Sequence, residues 1–157
     1  MARLKIVKFD DPMIRKVSRP VEEITPRITT LLDDMIETMR AEGGCGLAAV
    51  QVGVLRRIAV IEVDEGVVYE LINPKIISFA GVQEDQEGCL SNPGSYGITK
   101  RPAFVTVRAT NRHGKEYELR GEGLLARAIC HECDHLDGKL YTDVQIRPLT
   151  DEELRRK

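Results

Sequence analysis

Apolar residues at Ile28, Leu31, Leu32, Met35, Ile36 and Met39 recur every three or four positions, the spacing that lays one stripe along a helix. Thr25-Pro26 supplies a start, with threonine as N-cap and proline at the first helical position. Gly43-Gly44 supplies the stop, since glycine takes the left-handed conformation at little cost. An amphipathic helix of about four turns is therefore predicted near the N-terminus. The pattern then changes. Ile58 to Val63 and Val67 to Ile77 are rich in Val and Ile, with Glu65-Gly66 as a turn between them. Phe104 to Ala109 alternates loosely, and Asn111 to Gly114 reads as a hairpin turn before a strand around Glu116 to Leu119. Gln83 to Pro102 reads as one long irregular stretch, of the kind that often carries function. A second helix begins near Glu122 and carries Leu124, Leu125, Ile129 and Leu136 as far as Gly138. The expected class is α+β: antiparallel β-sheets packed around a central helix, with the N-terminal amphipathic helix beside them.

With 157 residues and neither repeat nor linker, residues 1–157 are expected to form a single domain. Hydrophobic residues at 42% and charged residues at 31% are an ordinary globular balance. A formal charge of -2 argues against broad nucleic-acid binding. No segment approaches the roughly 20 apolar residues that span a bilayer, and charges interrupt the N-terminus too often for a signal-peptide core. A cytoplasmic protein is expected, so Cys45, Cys89, Cys130 and Cys133 should be reduced thiols or metal ligands.

Two of the three histidines fall within His131-Glu132-Cys133-Asp134-His135, an H-E-x-x-H on the second helix. At about 100° per residue, His131 and His135 lie about 40° apart on one face and can converge on one ion. Glu132 can flank that ion without ligating it, the position of a general base acting on water activated by the metal. Helical geometry turns Cys130 and Cys133 away from the histidines, so they read as small buried hydrophobes. A catalytic metal takes about three protein ligands. Only carboxylates follow the helix, whereas Cys89 lies upstream behind Gly88 and offers a thiolate.

Gly44 to Gln51 (GCGLAAVQ), Glu87 to Ser91 (EGCLS) and His131 to His135 (HECDH) resemble, in order, the three signature motifs of peptide deformylase. The likeness also runs through RKVSRPVEEI, LINPKI and the closing DHLDG, and so covers nearly the whole chain. The resemblance implies a metallohydrolase that removes the N-formyl group from the formyl-methionine of nascent polypeptides, with Cys89, His131 and His135 as ligands. It implies Fe(II) as the working ion, with Zn(II), Ni(II) or Co(II) able to take the same ligands. By donor chemistry alone, one thiolate and two imidazoles suit Zn(II). It further implies Glu132 as the base, with Gln51 and the Leu90 N–H as oxyanion donors. Gly44, Cys45 and Gly46 would face Leu124, Arg127 and Ala128 across a methionine pocket, with Arg127 alternatively at its rim, head in water. The substrate would place the protein near the ribosome. Cys130 departs from the family pattern, which has glutamine before HE, and any C-terminal helix must be brief. An H-E-x-x-H endopeptidase and a non-catalytic metal-binding module are the competing readings; formate release beside casein digestion separates them.

Overall fold

The computed structural model describes residues 2–155. The first helix, α1, is Pro26–Ala41, with Thr25 at the N-cap and Pro26 at its first turn, although the Thr25 hydroxyl makes no capping bond. Gly43 beyond it has φ 73°. The strands that follow are β1 (Gly46–Ala48), β2 (Ile58–Ile61) and β3 (Tyr69–Ala80). Then come β4 (Gln83–Gly88), β5 (Tyr96–Arg101), β6 (Phe104–Thr110) and β7 (Glu116–Glu122). The second helix, α2, is Leu124–Leu136; short helices α3 (Tyr141–Val144) and α4 (Asp151–Arg155) flank β8 (Gln145–Pro148). Every strand pair is antiparallel, in a five-stranded sheet of order β1-β2-β3-β6-β7 and a three-stranded sheet of order β4-β5-β8.

All four residues of β2 are buried because helices cover both faces of the larger sheet. Ile58 and Val60 join Leu32, Met35 and Met39 of α1, while Ala59 and Ile61 join Ala126, Ile129 and Leu136 of α2. A strand covered on both sides loses the apolar–polar alternation and reads as a continuous hydrophobic run. Residues 127–133 of α2 are all buried, since this helix lies between the larger sheet and the β4–β5 hairpin. Cys130 and Cys133 are buried free thiols, and burial pushes them up to about 11 and about 12.

The stretch 83–102 is not irregular. Gln83–Gly88 and Tyr96–Arg101 pair along their full length, and between them only 89–95 is loop. The apolar signal is missing because the inward positions are polar: Glu87 on β4, Thr99 and Arg101 on β5. Two boundaries also move. β7 runs on to Glu122, which pairs with Phe104, so α2 begins two residues later than the pattern suggested, after Gly123 at φ 60°. Phe104 points outward at 40% exposure while Val105, Val107 and Ala109 face the core.

Gly138 closes α2 at φ 76°, and a Cβ there would collide with the carbonyl oxygen of Arg15. Gly138→Ala therefore combines left-handed strain with a backbone clash, and is expected to cost about 1–3 kcal/mol. Chemical denaturation checks this; an unchanged midpoint would contradict it.

Candidate metal centre and cleft

The loop after β4 carries Cys89, and α2 carries His131 and His135 one turn apart. The Cys89 Sγ lies 3.3 Å from His135 Nε2, which lies 3.1 Å from His131 Nε2. All three donor atoms fall within 4.8 Å of one another. Ligands about 2.0–2.3 Å from one tetrahedral ion sit roughly 3.3–3.6 Å apart, so this spacing fits a shared cation. Three lone pairs that close require either a proton or a cation between them. Burial disfavours charge on both rings; on His131 the Cys89 and Glu87 contacts outweigh it, and burial together with charge on His131 pushes His135 well below its usual value.

His131 Nδ1 donates to Glu87 Oε2 at 2.6 Å, leaving Nε2 as the nitrogen that faces His135 and Cys89. Glu87 is 5% exposed and hydrogen-bonded by Thr99, Arg101 and Arg127. Arg101 also reaches Asp134 on α2. Burial alone would raise the Glu87 carboxyl, but His131 and Arg101 hold it well below the carboxylate range. Tyr141 stacks 6.2 Å from the His131 ring and accepts from Asn92 through its hydroxyl.

Glu132 is 3% exposed, and its Oε1 has no hydrogen-bond partner among the described residues. Burial pushes its carboxyl up to about 7; a cation alongside would pull it down again. Its other oxygen lies only 2.4 Å from where a Cβ of Gly46 would be, so β1 needs glycine there for the carboxylate to approach. Gln51 belongs to the 3₁₀ turn Ala49–Val52. Its Oε1 accepts from the Ala48 N–H at 2.9 Å, and its Nε2 lies 3.1 Å from Ser91 Oγ and 3.4 Å from Cys89 Sγ.

A cleft of about 580 Å³ opens over these groups. Gly44, Cys45 and Gly46 line it on the β1 side, and Leu124, Arg127 and Ala128 on the α2 side, with Leu90 and Gln51 also in the wall. Leu90 packs so close to Gly44 that a Cβ there would lie 2.6 Å from Leu90 Cδ1. Arg127 is not a rim residue with its head in water: its guanidinium is buried against Glu87 and Thr99. A larger groove of about 860 Å³, between residues 19–31 and 53–56, contains no histidine or cysteine. The third histidine, His113, sits in the exposed turn between β6 and β7.

Sequence reasoning missed the polar support beneath the ligands. Glu87 stands in the EGCLS motif with no role that the sequence assigns, and nothing local marks Thr99, Arg101 or Asp134. The available signal was three charged or hydroxyl residues at alternate, inward positions of one hairpin.

The family model described as polypeptide deformylase matches residues 3–151. A peptide deformylase of Alkaliphilus metalliredigens is 59% identical over 138 residues, covering 88% of this chain and 93% of that protein. The crystal structure of a peptide deformylase from Legionella pneumophila superposes with a TM-score of 0.89 at 42% identity, covering 99% of this chain and 93% of that one. One from Ehrlichia chaffeensis, solved in complex with actinonin, gives a TM-score of 0.90 at 38% identity, covering 99% and 94%. With the motif residues gathered around one cleft and likeness along nearly its whole length, this chain belongs to the polypeptide deformylase family.

Proposed function

We propose that this chain is a metal-dependent hydrolase that removes the N-formyl group from the formyl-methionine beginning nascent polypeptides and releases formate. The observation that carries the reading is the meeting of Cys89, His131 and His135 beside Glu132, whose Oε1 has no hydrogen-bond partner among the described residues, inside a cleft, in a chain of this family. Cys89, His131 and His135 would hold one divalent cation, which supplies Lewis acidity toward water and the formyl carbonyl. Donor chemistry suits Zn(II); the family likeness leads us to favour Fe(II), with Zn(II), Ni(II) and Co(II) as substitutes.

The remaining work falls to the chain. Glu132 takes a proton from the attacking water and returns it to the departing amine, so that water adds across the amide and formate leaves. Gln51, its amide fixed by the Ala48 N–H, directs its N–H groups toward the Cys89 side of the cleft. With the Leu90 N–H it stabilises negative charge on the formyl oxygen, where charge peaks in the transition state. Leu124, Ala128 and the stem of Arg127, opposite Gly44, Cys45 and Gly46, accept the methionine side chain. Such a substrate implies cytoplasmic work close to the ribosome. No helix of the described residues is long and apolar enough to cross a membrane.

Formate release from a formyl-Met peptide, with the unformylated peptide as control, tests this. Release is expected from anaerobically prepared protein, with loss on chelation and recovery when Fe(II) is added. A metal-loaded protein that releases no formate, or that instead cuts internal bonds of casein, would overturn the reading.

A further inference from the structure

Glu87 is served by more cationic donors than its single charge requires. Its Oε1 receives Thr99 Oγ1 at 2.8 Å, Arg101 Nε at 3.0 Å and Arg127 Nη1 at 3.0 Å; its Oε2 receives Arg101 Nη2 at 2.7 Å and His131 Nδ1 at 2.6 Å. Arg101 divides its charge between Glu87 and Asp134. Arg127 has no carboxylate but Glu87 among the described residues; its other partners are the Thr99 hydroxyl and, at 3.5 Å, Gln83 Oε1.

Arg127 therefore places a second buried guanidinium on a carboxylate already paired. Stability does not explain it, because burying charge is costly and an apolar residue of similar volume usually serves as well. Methionine binding explains only the stem, since the charged head is turned to Glu87 rather than left in the cleft. What the head can do is fix Oε1 while Oε2 holds His131. A carboxylate on the far nitrogen of a ligating imidazole orients the ring and strengthens it as a donor. A second guanidinium on Oε1 keeps that carboxylate ionised and fixed in place, so that Oε2 stays aimed at His131.

We propose that Arg127, with Thr99, is a positioning residue of the metal centre, setting through Glu87 how His131 is oriented and how strongly it donates to the cation. This rests on the reading of Cys89, His131 and His135 as the metal site, and it gives the head of Arg127 a metal role beside the pocket role of its stem.

The test uses Co(II), whose visible absorption reports its ligand field, titrated anaerobically into the full chain and into Arg127→Leu, Arg127→Lys and Thr99→Val. Affinity is read by competition with a chelator, and folding of the metal-free proteins by thermal unfolding. Arg127→Leu is expected to weaken Co(II) binding about 10–100-fold and to shift its absorption. Arg127→Lys, which keeps the charge, should recover part of both; Thr99→Val should shift both in the same direction by less. A folded Arg127→Leu with wild-type affinity and spectrum, whether or not its KM for formyl-Met peptide rises, would overturn the inference while leaving the deformylase reading intact. If the leucine variant does not fold, an unaltered Co(II) spectrum in both Lys and Val variants overturns it equally. A wild-type chain that fails to bind Co(II) would overturn the metal centre, and this inference with it.

Discussion

Glu132→Gln is expected to leave the chain folded and metal-loaded while turnover of a formyl-Met peptide falls by about 10²–10⁴-fold, the range for loss of a positioned acid–base group. Glutamine has the same shape, so it fits the space that Gly46 leaves on β1. It cannot accept a proton from water and return it to an amine at neutral pH. The unpartnered Oε1 of Glu132 is the structural warrant, since a buried carboxylate with a free oxygen is costly unless that oxygen meets something in the working enzyme. The loss should lie in kcat, with metal content unchanged because Glu132 is not among the three convergent donors. A variant that keeps its metal and most of its turnover would remove Glu132 from the mechanism.

Glu87→Gln should give the largest loss of stability of any substitution considered, about 3–5 kcal/mol, the usual result of removing one partner from a buried ionic cluster. Arg101 and Arg127 would keep their charges with only Asp134, itself partly exposed, to balance them. The new amide group would also set donor against donor, because both Glu87 oxygens now accept from nitrogen donors. The single remaining oxygen could not serve both the His131 Nδ1–H and the Thr99–Arg127 side, so metal binding should weaken as well. Denaturant unfolding of the metal-free protein separates the two effects: a midpoint unchanged within about 1 kcal/mol would show that the cluster does not hold the hairpin to α2.

Both helices could be read from their apolar spacing because each turns one apolar stripe to the larger sheet, although α2 also buries its polar side, against the β4–β5 hairpin. Boundaries were less legible where neighbours intervened. Glu122 belongs to β7 because Phe104 pairs with it across the sheet, a contact no local pattern records. β4 reads as irregular chain from sequence because QEDQEG has no apolar residue to mark its inner face, and its ladder with β5 is held by backbone bonds.

The linear order of residues was enough to single out the three donors that the structure brings within 4.8 Å of one another. A helix fixes the angle between His131 and His135 whatever surrounds it, and the EGCLS motif, with no histidine downstream of the helix, pointed to Cys89 as the third. Tertiary structure alone decided what stands behind those ligands: that Glu87 turns toward His131, that Thr99, Arg101 and Arg127 converge on it, and that Gly46 makes room for Glu132. These contacts join residues 12 to 86 positions apart, brought together by the packing of a hairpin and a β-strand on one helix. Spacing along a chain encodes periodicity within an element, whereas the meeting of charges between elements depends on how their faces pack.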